Sequence, residues 1–106
     1  MSRFAIAAYR PRPGQEANLL GIVKKHTPLL RSEDLITDHP TSLMRAQDGT
    51  LVEIFVWRSP ESMKQAHENQ RVQILWEELA AVCDFTPLKD LAEAQAMFAD
   101  FEAIQL

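Results

Sequence analysis

One cysteine, three glycines, a single tyrosine and no long apolar run characterise this chain of 106 residues. With Cys83 as its only cysteine it cannot close an intrachain disulfide, which excludes a disulfide-stapled scaffold and fits a reducing compartment. The N-terminal apolar run, Phe4 to Tyr9, is six residues long and lies between arginines. A signal peptide needs a longer apolar stretch, and a membrane span needs roughly 18 apolar residues. The reading is a cytoplasmic, soluble protein with no membrane partner. Positive charge is also scarce late in the chain: from Glu77 onward there are seven acidic residues and one basic, Lys89. That argues against the clustered basic face a nucleic acid requires. No phosphate loop, nucleotide fingerprint or serine elbow is present, so no cofactor is expected. His26, His39 and His67 are far apart and lack histidine–carboxylate spacing, so no metal site is expected.

The length and an ordinary 46% hydrophobic content indicate one domain, residues 1–106. Alternation over Arg3 to Arg10 predicts a strand with Phe4, Ile6 and Ala8 on one face and Ala5, Ala7 and Tyr9 on the other. Pro11 to Gly14 stops it, with Gly14 as the expected N-cap of a helix from about Gln15 to His26. Pro28 is expected to bend or end that helix, with room for one more turn at Leu29 to Arg31. Thr41–Gln47 and Leu51–Arg58 read as a hairpin about a two-residue Asp48-Gly49 turn, which pairs Met44 with Glu53 and Leu43 with Ile54. The second of these strands is apolar on both faces: Val52, Ile54 and Val56 on one, Leu51, Phe55 and Trp57 beside Glu53 on the other. An antiparallel strand with one wet face would alternate. Ser59-Pro60-Glu61 then starts a helix, weakened at Glu68 to Gln70 and strongly striped from Val72 to Cys83. Asp84–Leu88 reads as an edge strand, and Lys89–Ile104 as a last helix with Leu91, Ala94, Phe98 and Phe101 on one side.

The order β-α-β-β-α-β is the ferredoxin-like arrangement, an α+β fold with helices on one face of an antiparallel sheet and an extra C-terminal helix. In its strand order, in EIFVWRSPES passing from strand to helix, in AHENQRVQILW and in the terminal LKDLAEAQAMFADFEAI, the chain resembles the antibiotic biosynthesis monooxygenase-like group of dimeric α/β barrels. The resemblance implies a homodimer of sheets packed face to face and a cavity between each sheet and its helices. It also implies cofactor-independent monooxygenase chemistry on an aromatic or quinol-like small molecule, with a non-catalytic binding or stress-related module as the alternative. Haem-degrading relatives place an asparagine on the first strand, and RFAIAAYR has none.

His67 is the candidate catalytic base, because a histidine beside an apolar helical stripe can take a phenolic proton at neutral pH. Trp57, Trp76, Tyr9 and Met63 are the candidate substrate-binding residues, able to line a flat apolar pocket. Phe55 and Glu53 are expected at the dimer interface, Glu53 as a partly desolvated carboxylate. Cys83 lies on an apolar helix face and reads as inert.

Overall fold

The computed structural model describes all 106 residues. Five strands form one antiparallel sheet in the order β4-β1-β3-β2-β5. They are β1 (Arg3–Pro11), β2 (Ser42–Arg45), β3 (Leu51–Trp57), β4 (Cys83–Thr86) and β5 (Glu102–Ala103). Three helices, α1 (Glu16–Ser32), α2 (Pro60–Glu68) and α3 (Gln70–Val82), complete the ferredoxin-like order. The odd-numbered residues of β1 and β3 face the helices, and the even-numbered ones face away.

Pro13-Gly14 forms a turn closed by the Gln15 N–H donating to Arg12 C=O at 2.9 Å, with Gly14 at φ +79°. That is the type II pattern, in which the third residue must take positive φ. Gly14 is therefore in the turn, and Gln15 takes the N-cap position. Helix α1 does not stop at Pro28. It runs to Ser32, because Leu19, Val23, His26 and Leu30 make one continuous buried stripe that outweighs the single lost hydrogen bond. It ends in a Schellman arrangement with Asp34 at φ 57° and the Leu35 N–H on Leu30 C=O, which returns Leu35 and Ile36 to the core.

The β2–β3 hairpin differs from the expected register by one residue. Leu43 pairs with Glu53, and Met44 with Val52. The loop has three residues, Gln47 to Gly49. The Gly49 N–H donates to Ala46 C=O, the Ala46 N–H donates to Thr50 C=O, and Gly49 is at φ +91°. This is a type I turn with a glycine bulge, the next most favoured way to close a hairpin. Ser59 caps α2 through its hydroxyl on the Ser62 N–H, and Asn69 both ends α2 and caps α3, so the weak Glu68–Gln70 stretch is a break between two helices.

The expected C-terminal helix over Lys89–Ile104 is absent. Two 3₁₀ turns, Leu88–Asp90 and Ala92–Gln95, carry the chain across the even-numbered face of the sheet to β5. Leu91 is buried there against Ala8, Ala46 and Val52. Strand pairing of Glu102 and Ala103 with β2, a 2.8 Å Arg45–Glu102 ion pair and a Gln47 N–H bond to Glu93 hold the segment down. Tertiary contacts here override a helical pattern. The two-sided apolar character of β3 is thus partly answered within the chain, by the C-terminal segment.

Gly49→Val should destabilise the protein by about 1 kcal/mol or more, since a β-branched residue resists positive φ. Denaturant unfolding measures it, and an unchanged midpoint would mean the bulged turn is not required.

Candidate functional site

An open cavity of about 350 Å³ lies on the helix-covered face of the sheet. Ala5, Ala7 and Tyr9 of β1 and Phe55 and Trp57 of β3 form its floor. His26 of α1, Trp76 and Leu79 of α3 and Phe85 of β4 complete the wall. Phe85 is exposed and meets Tyr9 edge-on with ring centroids 5.9 Å apart. Strand β4 pairs with β1 only over Ala8 to Pro11, so Ala5 and Ala7 lie beyond its reach.

A hydrogen-bonded chain crosses the core beside this cavity. Glu53 Oε1 accepts from the Tyr9 hydroxyl at 2.7 Å and pairs with His26 Nδ1 at 2.8 Å. His26 Nε2 accepts from the Trp76 indole N–H at 3.0 Å. An indole nitrogen can only donate, so Nε2 carries no proton. The proton of a neutral ring then sits on Nδ1 and donates to Glu53. His26 is 3% and Glu53 1% exposed, so the pair is fully removed from water. Burial, and then the negative charge and hydrogen bond of Glu53, hold the Tyr9 hydroxyl well above its ordinary value of 10.0. Burial, followed by Asp84, pushes the Cys83 thiol up to about 11, which keeps it protonated and unreactive at neutral pH.

Of the expected substrate-binding residues, Tyr9, Trp57 and Trp76 line the cavity together. Met63 does not. It lies 45% exposed on α2. His67 is exposed on the outside of the same helix, touching Trp76 edge-on at 4.9 Å and meeting no carboxylate. Phe55 and Glu53 are not on a seam: both sit on the helix-covered face and are buried within the single chain. The histidine that enters the site is His26. The spacing Leu19, Val23, His26, Leu30 carries that signal, but only if the helix is allowed to pass Pro28.

A larger concavity of about 560 Å³ lies between α1 and residues 38–41, lined by Lys24, Arg31 and Asp38 among others. Most of its lining residues are polar or charged types, and neither His26 nor Glu53 is among them. No three His, Cys, Asp or Glu side chains converge as a metal ligand set.

No family model matches the sequence, and no curated protein matches it. Solved structures do. The chain is similar to SnoaB, a cofactor-independent oxygenase from Streptomyces nogalater, with a TM-score of 0.67 and 15% identity over 80% of this chain and 85% of that one. It is also similar to Rv0793 from Mycobacterium tuberculosis, with a TM-score of 0.65 and 21% identity over 87% and 99%. A NIPSNAP family protein from Agrobacterium tumefaciens gives 0.54 at 17% identity. At these identities the likeness is one of fold: the chain shares the ferredoxin-like α+β fold of these proteins.

Two outcomes follow from the network. Glu53→Ala orphans two buried donors and should cost about 3 kcal/mol of stability, read from urea unfolding. Tyr9 also makes stability depend on pH. Its folded value lies above its unfolded one, so its contribution is complete below pH 10 and is lost as pH rises through the folded value. Tyr9→Phe should flatten the loss of stability above pH 10, and a wild-type slope in that variant would contradict the assignment.

Proposed function

We propose that the protein is a cofactor-independent monooxygenase acting on an aromatic or quinol-like small molecule held in the cavity, with His26 as the base. The observation that carries this reading is a buried, neutral imidazole at the wall of an apolar cavity, backed by a carboxylate on its other nitrogen. A histidine so oriented can accept a proton at Nε2 while Glu53 steadies the resulting imidazolium. Trp57 and Phe55, whose rings meet edge-on at 5.0 Å, offer flat surfaces for an aromatic ring.

The chemistry balances without a reductant. His26 takes the hydroxyl proton of a phenol that has a free para C–H. The electron-rich para carbon bonds dioxygen, and the peroxide loses water. One oxygen atom stays as the new carbonyl of a quinone, and the other leaves as water with the two hydrogens the substrate gives up. The similarity to SnoaB, described as a cofactor-independent oxygenase, supports the same class of chemistry.

The working unit in this proposal is a homodimer of the whole chain, 1–106. Phe4 and Ile6 are 66% and 51% exposed on the even-numbered face, and Met97 and Phe98 of the crossing segment are also exposed. An apolar surface of this kind suits a second copy. The lone buried cysteine supports a reducing, cytoplasmic location. No helix is long and apolar enough to cross a membrane.

Under oxygen, wild-type protein should consume dioxygen with 1-naphthol or another phenol whose para carbon bears hydrogen. His26→Gln should lower kcat/KM by about 100-fold or more, whereas Met63→Ala, outside the cavity, should not. Wild-type protein that binds these phenols without oxygen uptake would favour a binding module instead. Phe4→Asp should shift the species seen by light scattering from dimer toward monomer, and a wild-type protein that is monomeric at micromolar concentration would sink the dimer.

A further inference from the structure

At the cavity wall the acceptor nitrogen of His26 is already covered. Tyr9 spends its hydroxyl proton on Glu53, and His26 spends its Nδ1 proton on the same oxygen. On the imidazole this leaves the Nε2 lone pair, and the Trp76 indole N–H occupies it at 3.0 Å. Trp76 is itself only half-buried. Its ring meets both the buried imidazole of His26, at 6.4 Å, and the exposed imidazole of His67, edge-on at 4.9 Å.

We infer that Trp76 is a displaceable cap and a specificity-determining residue: a ring gains His26 Nε2 only by replacing the indole N–H with a hydroxyl of its own. The inference rests on the cavity being the ligand site, but not on oxygenation. A ring that carries a hydroxyl exchanges one hydrogen bond for another. The same ring without a hydroxyl either stays beside the capped pair or leaves a buried acceptor unpaired, at a cost of about 1–3 kcal/mol. The cap therefore sets how much a hydroxyl gains: while the indole holds Nε2 the exchange is near balance, and without the indole a hydroxyl gains the whole bond. In this arrangement His67, the histidine that stands out in the sequence, braces the cap from outside and does not transfer the proton.

The test compares 1-naphthol with naphthalene, which share one ring system and differ by the hydroxyl. Binding is measured by calorimetry without oxygen, so turnover cannot intervene. Trp76→Phe keeps an aromatic ring and removes the N–H. Its affinity for 1-naphthol should rise about 2- to 10-fold beyond any change for naphthalene, the worth of one released neutral hydrogen bond. In wild-type protein the Trp76 indole N–H resonance, assigned with Trp57→Phe, should shift on addition of 1-naphthol and stay put with naphthalene. If Trp76→Phe fails to fold, that resonance and His67→Ala decide the matter, because removing the brace should sharpen the preference for 1-naphthol. Equal gains for both rings in Trp76→Phe would overturn the cap, since the indole would then only fill space. An unmoved indole resonance at saturating 1-naphthol would overturn it too. Failure to bind either ring removes the cavity reading as well, whereas a selective cap without oxygen uptake overturns the oxygenase proposal alone.

Discussion

A carboxylate buried on the central strand is the constraint to which the rest of this structure answers. Glu53 lies in β3 with its side chain turned toward the helices, where an isolated negative charge would cost several kcal/mol. It is tolerated because two donors reach one of its oxygens from different elements, Tyr9 from β1 and His26 from α1. Each donor fixes a relationship: β1 to β3 in one register, and α1 at one rotation over the sheet. The third link, Trp76 to His26, extends the same condition to α3. A network satisfied at every link rigidifies an otherwise apolar core and disfavours alternative packings, since any shift would strand a polar group. The buried residues around it, Leu19, Val23, Leu43 and Leu79 among them, supply the bulk of the burial without that directional demand.

The two faces of the sheet then take on separate tasks. The odd-numbered face is closed by helices that leave a cavity at the β1–β4 edge, because β4 is too short to cover the first half of β1. The even-numbered face is closed only in part. Leu91 seals Ala8 and Val52 while Phe4 and Ile6 remain in water. Had residues 89–104 formed a helix, their apolar stripe would have needed a second surface and β2 would have kept a bare edge. Crossing the sheet and ending as β5 satisfies that edge with backbone bonds.

Much of this was legible from residue order. Period-two alternation located β1 and β3 and sorted their faces, and Ser59-Pro60 marked the start of α2 as it stands. Glu53 was visible as a carboxylate out of place on an apolar strand face. Its partners were not, because sequence spacing says nothing about which helix residue meets which strand residue 27 positions away. His26 was hidden by Pro28: a helix that ends there leaves His26 at a frayed terminus, and only the long-range burial of Leu30 shows that it continues. The hairpin register turned on whether the loop held two or three residues, a choice that Asp-Gly permits either way. His67 drew attention because it neighbours an apolar stripe in sequence, yet it lies at the end of α2, before the break at Asn69, and points outward.

What distinguishes a cavity able to react from one that merely holds a ring is where charge goes when a proton moves. Before transfer the site holds one buried negative charge, on Glu53, balanced by two donors. Moving a phenolic proton to His26 Nε2 creates a phenolate and an imidazolium but no net charge. The order becomes negative, positive, negative along a line of close contacts. In a low-dielectric interior such alternation is strongly attractive, while a lone phenolate in the same cavity would be expelled or reprotonated. In the proposed reaction Tyr9 stays neutral, and its hydroxyl goes on donating to Glu53 Oε1 when His26 becomes charged. Under the proposed chemistry the arrangement favours an electron-rich phenolate in an apolar pocket, which is the form of a phenol most readily oxidised by dioxygen.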